Sequence, residues 1–320
     1  MPVPDAGDSW SGKVNEVTIG ATKASGGTRG KTITVGGAQV MPFAGDRARR
    51  GNRPVIAADV LDVAPADWPR PLAEAYKDVF GNPGAWAAKA IREFKADLLC
   101  VKLDGTHPDK GDRSPEDAVK TVKAVKEAVD VPIIVWGSDS AAKDNAVMPK
   151  VSQLLKGENA LLGVITKDNY KTLTAVALAD GHSIIALAPL DINIAKQVNI
   201  LASDMSFPLE RMVMFQTTGA LGYGLEYVYS IQERERLAAL GGDKMMAMPT
   251  ISDAGGEAWR AKEAKTPDAE APNWGPQDER GPMWEAITAI ALLQTGTDIL
   301  RMRHPKAMAV VRDYVDRVYS

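Results

Sequence analysis

The side chains best equipped for chemistry fall into a few short stretches, each beside an apolar run. Lys102-Leu-Asp104-Gly105 places an amine and an acid two residues apart, on one face of an extended chain. Such a lysine can form a Schiff base with a carbonyl compound. A Lys–Asp pair that only fills space is the plainer reading. Pro189-Leu-Asp191-Ile-Asn193 follows another apolar run. Asp191 suits a helix N-cap, whereas Asn193 has no such structural duty and is the better candidate for a ligand contact. Further on, Thr217-Thr-Gly-Ala-Leu-Gly222-Tyr223-Gly224 lets backbone come close to a ligand. Its G-x-x-G-x-G spacing is neither a dinucleotide fingerprint nor a phosphate loop, and a tight turn explains it equally well. Tyr223, between two glycines, is expected to be accessible.

Asp253-Ala-Gly255-Gly256 opens a long connection that runs to Met283 and carries Trp259, Arg260, Trp274 and Arg280. Exposed tryptophans beside arginines suggest a partner surface; a self-packed lid is the alternative. The 3 histidines offer less. His182 precedes an apolar run and reads as structural. His107 has no acid at a diagnostic spacing. His304, before Pro305, is either a helix-terminal group or a site residue. The 1 cysteine, Cys100, lies within an apolar run and reads as a core thiol. It rules out an intrachain disulfide framework and any cysteine-only iron–sulfur or zinc site built by this chain alone. No nucleophile–base pair, metal cluster or phosphate loop emerges.

The elements that must position these residues are regular. Val14 to Ile19 and Lys31 to Val35 read as two strands joined by a Gly/Ser/Thr-rich link, an N-terminal β-hairpin. Eight apolar runs follow: 54–60, 97–103, 132–138, 160–165, 183–190, 212–218, 245–251 and 298–303. Most are apolar on both faces, as parallel strands covered on both sides must be. Helical patterns separate most of them. Ser114-Pro-Glu-Asp117 supplies an N-cap, a proline at the first helical position and early acids, ahead of an Ala118/Val122/Val125/Val129 stripe. Asp191 caps a helix with Ala195, Val198 and Leu201 on one face. Another helix is expected over Trp284–Thr295, stopped by Gly296. Pro305 opens a final helix with Met308, Val311, Val315 and Val318. Eight β–α units fit an α/β fold of TIM (β/α)8 barrel type, with the hairpin plugging its bottom. The expected layout is a flexible N-terminus over 1–12 and a single domain over 13–320, with the hairpin at 13–36 and the barrel at 54–320. In such a barrel the site lies at the C-terminal ends of the strands, which is where the stretches above fall.

Composition narrows the partners. Among 320 residues, 38 Lys+Arg against 41 Asp+Glu leave a net charge of −3, with no basic excess for nucleic acid. No apolar run approaches the roughly 18–20 residues of a membrane span. The polar, Gly/Pro/Asp-rich start lacks the features of a targeting peptide, so a cytoplasmic protein is expected.

Several stretches resemble the small subunit of the corrinoid iron–sulfur protein, the delta subunit of the acetyl-CoA decarbonylase/synthase complex. They are Gly20-Ala-Thr-Lys-Ala-Ser-Gly-Gly-Thr-Arg29, Asn52-Arg-Pro-Val-Ile56, Lys102-Leu-Asp-Gly105, Pro189-Leu-Asp-Ile-Asn-Ile194, Gly222-Tyr-Gly-Leu-Glu-Tyr227, Gly242-Asp-Lys-Met245, Glu257-Ala-Trp-Arg-Ala-Lys-Glu263 and Arg303-His-Pro305. They run in order over nearly the whole chain. The resemblance implies a TIM barrel in a heterodimer with a large subunit that carries a [4Fe-4S] cluster and binds the tail of a corrinoid (cobalamin). The small subunit, non-catalytic on its own, would cap the corrinoid. The pair would carry a methyl group from a methyltetrahydrofolate- or methyltetrahydropterin:corrinoid methyltransferase to acetyl-CoA synthase/CO dehydrogenase, in the reductive acetyl-CoA pathway or its reverse.

The single cysteine agrees with a cluster on the partner. The D-x-H-x-x-G cobalt-ligating pattern is absent, since Asp104-Gly-Thr-His107 has the wrong spacing. The resemblance breaks at two places. Where the family carries Asp-Pro near the end of the sixth barrel run, this chain has Phe215-Gln-Thr-Thr218; where it carries Thr-Val-Gly-Tyr, this chain has Asp253-Ala-Gly-Gly256. Within the resembling motifs, the barrel-mouth rule assigns corrinoid contacts to Asp191, Asn193, Thr217, Gly222, Tyr223, Gly224, Asp253 and Gly255. It assigns the partner interface to Trp259, Arg260, Lys102 and Asp104, with no catalytic residue and no metal ligand. A self-sufficient barrel enzyme (a pterin-dependent methyltransferase or a Lys102 Schiff-base lyase) and a scaffold without corrinoid contact are the other readings.

Overall fold

Eight strands whose residues are almost all buried cannot leave an edge in water, and the chain closes them on themselves. The computed structural model describes residues 10–42 and 47–319. Strands β1 (Glu16–Ile19) and β2 (Ile33–Gly36) pair antiparallel, with Val17 opposite Val35. Both are shorter than the expected runs. The barrel strands are β3 (Val55–Leu61), β4 (Leu98–Lys102), β5 (Ile133–Trp136), β6 (Leu161–Ile165), β7 (Ser183–Ala188), β8 (Met212–Gln216), β9 (Thr250–Ser252) and β10 (Ile299–Met302). Each pairs in parallel with the next, and β10 returns to β3. The TIM-type barrel with a preceding hairpin is therefore present.

Alternation along the strands sorts the side chains into two cores. Leu98 and Cys100 of β4 point inward with Ala57, Ile134, Ile185, Val213, Ile251 and Ile299. Leu99 and Val101 point outward, against the helices. Hairpin residues Val17, Ile19, Ile33 and Val35 join the inner core, so the hairpin seals one end. A buried ion pair pins its loop: Arg29 Nε lies 3.1 Å from Glu158, which also takes the Lys126 ammonium at 2.9 Å.

The expected caps form. The Ser114 side chain accepts from Asp117 N at the head of helix Pro115–Ala128, and Asp191 accepts from Asn193 N and Ile194 N at the head of Ile192–Asp204. The last helix is Pro305–Tyr319. Three expectations need correction. Strand β9 does not begin at Met245, because the Asp243 side chain accepts from Met245 N and starts a 3-10 turn over Lys244–Met246. The helix expected over Trp284–Thr295 spans Gln277–Leu293 and absorbs Pro282. The long connection is not an open loop: it holds helices Ala254–Ala258 and Lys262–Lys265 and a 3-10 turn at Pro272–Trp274. Of the segment expected to be flexible, residues 1–9 lie outside the described residues, and Gly12 N donates to Leu240 O at 2.8 Å.

Candidate functional site

Carried one step past the apolar inner layer, the alternation delivers charged and aromatic side chains to the C-terminal mouth. Asp59 follows Ala57 on β3, Lys102 follows Cys100 on β4, and Arg301 and Arg303 follow Ile299 on β10. Trp136 and Phe215 sit at the same level on β5 and β8. All of these charged and aromatic residues but the fully buried Asp59 line a cavity of about 610 Å³.

Its floor is a charge network. Arg301 Nε and Nη2 hold the Asp59 carboxylate at 3.0 and 3.1 Å, a bidentate fork. Arg301 Nη1 reaches Asp253 at 3.2 Å, and Arg303 Nε reaches Asp59 at 3.0 Å. The Arg301 guanidinium lies over the Trp136 ring at 4.2 Å, and Phe215 meets that ring edge-on at 4.7 Å. Burial works against the charge on Asp253, but Arg301 and Arg303 outweigh it and hold the carboxyl below its ordinary value. Burial likewise opposes the charge on Arg303, yet Asp59 and Asp253 raise its pKa. Lys102 Nζ donates to Gly137 O at 2.7 Å and to Asp139 at 2.6 Å, so both acceptors hold it as a donor rather than free it as a nucleophile.

The lid over one side is tied down by a buried acid. Glu285 accepts from Trp259 Nε1 at 2.6 Å, Arg303 N at 2.6 Å and His304 N at 3.0 Å. Burial still pushes its pKa up to about 7, against those three donors. The Tyr76 hydroxyl donates to the Arg303 carbonyl, fixing the same segment from the other side.

Of the residues expected at the site, Thr217, Asp253, Lys102, Asp104, Trp259 and Arg260 line the cavity. Asp191, Asn193, Gly222, Tyr223, Gly224 and Gly255 do not line it. The Asp191 carboxylate is spent on its cap, and Asn193 is exposed beside it. Gly222 and Gly224 have φ of 76° and 89°, so a turn requires them. Tyr223 is 49% exposed, as expected, and its hydroxyl accepts from Lys262 N. Gly255 is a packing position: a Cβ there would lie 2.8 Å from Arg303 N. Trp259 corrects an expectation. It is not an exposed partner residue but 4% exposed, held by Glu285 and stacked at 5.6 Å from the His304 ring.

His182 and His304 are buried, and His107 is half-buried with its Nδ1 accepting from Asp109 N. His182 Nδ1 accepts from Ala160 N at the barrel's other end. His304 Nδ1 accepts from Lys306 N, and burial pulls its pKa down to about 4. Cys100 is a core thiol that burial pushes up to about 12. Among the described residues, no group of three or more His, Cys, Asp or Glu is placed to hold a metal ion.

Sequence reasoning missed Asp59, Trp136, Arg301 and Arg303. The signal was present: a charge within an otherwise apolar, doubly covered strand must find a partner, and the first and last barrel strands are neighbours on closure.

With the geometry fixed, comparison with known proteins assigns the chain to a family. The model of the CO dehydrogenase/acetyl-CoA synthase delta subunit family matches residues 16–266. The chain belongs to that family. The delta subunit of the acetyl-CoA decarbonylase/synthase complex from Methanosarcina mazei is 37% identical over 316 residues, 97% of this chain and 72% of that one. The delta subunit from Archaeoglobus fulgidus is 39% identical, over 96% of this chain and 68% of its own. Among solved structures, dihydropteroate synthase from Xanthomonas albilineans aligns with a TM-score of 0.54 at 14% identity, covering 85% of this chain and 95% of that one. The Thermus thermophilus dihydropteroate synthase in complex with 6HMPPP aligns with a TM-score of 0.52 at 15% identity, covering 87% and 96%. At such identities the likeness shows the fold alone. The stretches 215–218 and 253–256, where the resemblance is expected to break, reach the mouth: Phe215, Thr217, Thr218, Asp253 and Gly256 all line the cavity.

Proposed function

We propose that this chain is the small subunit of a corrinoid iron–sulfur protein, which covers, with its barrel mouth, a corrinoid held by a larger partner. Family membership carries this reading, since the relatives are named as subunits of the acetyl-CoA decarbonylase/synthase complex. The reaction sequence would be methyl transfer from a methyltetrahydrofolate- or methyltetrahydropterin:corrinoid methyltransferase to acetyl-CoA synthase/CO dehydrogenase, in the cytoplasm. No helix among the described residues is long and apolar enough to cross a membrane.

The lip of the mouth fits the group. A corrin presents a flat apolar face edged with amides. The lip offers Ala64, Pro65, Ala66 and Trp68 on one side, and the polar Thr217 and Arg260 elsewhere. When bound, the corrinoid supplies the metal that carries the methyl group. The chain's own part is to seat the ring edge on Trp68 and Thr217, and to keep water off the covered face. Its buried Cys100 offers nothing to a cluster, so the [4Fe-4S] centre belongs on the large subunit.

Native purification tests the reading. The expected result is a second, larger polypeptide together with corrinoid and iron–sulfur absorption bands. A stable lone chain with no affinity for a corrinoid protein contradicts it.

A further inference from the structure

We propose that the cavity beneath the lip is a binding site for a small organic carboxylate, an oxyanion attached to a flat apolar body. The inference does not rest on the corrinoid reading, although Trp68 belongs to both the lip and the cavity wall. It comes from which hydrogen-bonding capacity the cavity has left over.

The donors are in surplus. Arginine carries five N–H donors and lysine three. Arg303 spends Nε on Asp59, and among the described residues neither Nη nitrogen has a hydrogen-bond partner. Arg301 spends Nε, Nη1 and Nη2 on Asp59 and Asp253, with N–H groups to spare. Lys102 spends its ammonium on Gly137 O and Asp139, with one N–H to spare.

The inner acceptors are engaged, and of the lining carboxylates only Asp67, exposed at the lip, lacks a partner among the described residues. Asp59 takes three N–H groups from the two arginines. Asp253 takes Gly256 N and Arg301. Asp139 takes Lys102 and Trp136 Nε1. At the lip, Asp104 holds Lys110 and Glu257 holds Arg260. A cationic ligand finds every inner carboxylate already occupied, whereas an oxyanion finds a free guanidinium fork, the geometry that binds carboxylates bidentately.

The walls add the apolar requirement. Trp136, Phe215 and Leu187 form one side, and the Arg303 guanidinium rests 5.4 Å from the Trp68 ring. Charged floor, aromatic wall and a volume within the range of ligand pockets together describe a site for an aromatic or alicyclic carboxylate.

Isothermal titration of the full chain tests this, with benzoate, benzyl alcohol and inorganic phosphate as probes. Benzoate should bind saturably, and the alcohol and phosphate each roughly tenfold more weakly or worse. Arg303→Gln and Lys102→Met, each checked for an unchanged near-ultraviolet circular dichroism spectrum, should each weaken benzoate by roughly tenfold. Arg92→Gln, at the opposite end of the barrel, should leave it unchanged. The proposal is overturned by the absence of saturable benzoate binding, by equal binding of acid and alcohol, or by phosphate binding as tightly as benzoate. If the variants fail to fold, the three-probe comparison on the native chain still decides it.

Discussion

Replacing Arg301 with Met asks whether the mouth floor is one interdependent charge network. Arg301 is 2% exposed and Asp59 is 0% exposed, so neither can turn to water when its partner is lost. Met keeps an apolar stem beside Trp136 but removes the two-bond fork to Asp59 and the bond to Asp253. Asp59 is left with Arg303 Nε alone, and Asp253 with Gly256 N. Removing one partner of a buried pair costs about 3–5 kcal/mol. Because Arg303 still faces Asp59, the lower end applies, about 3 kcal/mol. Asp59→Asn keeps the shape and one acceptor oxygen but no charge, and should cost about 2 kcal/mol. Since both variants break the same contacts, the double variant should cost less than their sum by about 1.5 kcal/mol or more. Urea unfolding followed by circular dichroism at constant m measures all four proteins. A cost below about 1 kcal/mol for Arg301→Met, or additivity within about 0.5 kcal/mol, would refute the network.

Three further outcomes are expected. Glu285 has its folded pKa raised from the ordinary 4.5 to about 7, so its favourable contribution is present in acid and is lost as pH rises through about 7. Glu285→Gln, permanently neutral, should therefore gain on the native chain by about 2–3 kcal/mol between about pH 5 and about pH 8; a pH-independent difference in urea midpoints rules this out. Gly255→Ala should destabilise the fold by about 1–3 kcal/mol in the same assay, because its Cβ would meet the Arg303 backbone; a neutral effect would contradict Gly255 as a packing position. Tyr223→Ala should weaken association with the proposed large partner by about 2 kcal/mol, since this ring is half in solvent beside the mouth; a calorimetric change under about 0.5 kcal/mol puts the contact elsewhere.

The barrel was legible because its strands are covered on both faces, so runs such as Val-Ile-Ala-Ala-Asp-Val and Leu-Leu-Cys-Val-Lys-Leu stand out from the polar helices between them. Ends were less legible. The apolar Met245–Met248 stretch imitates a strand, yet one Asp243 side chain turns it into a 3-10 turn. At the site, Lys102, Thr217 and Asp253 were legible because they sit at or just past the ends of their strands. Asp59 and Arg301 lie within strands, where the apolar content of the run masks the charge that breaks it. Trp259 is buried, against the expectation of an exposed ring. Its burial depends on Glu285, which lies on a helix 26 residues later and offers no local cue.

Hydrogen exchange of this chain, alone and bound to the proposed corrinoid-carrying partner, tests the central claim most directly. Slowed exchange at the mouth, over 63–69, 104–110 and 217–223, with the hairpin end around Arg29 unchanged, is the predicted footprint. Protection confined to the hairpin end, or none at the mouth, contradicts a barrel whose open face covers the corrinoid.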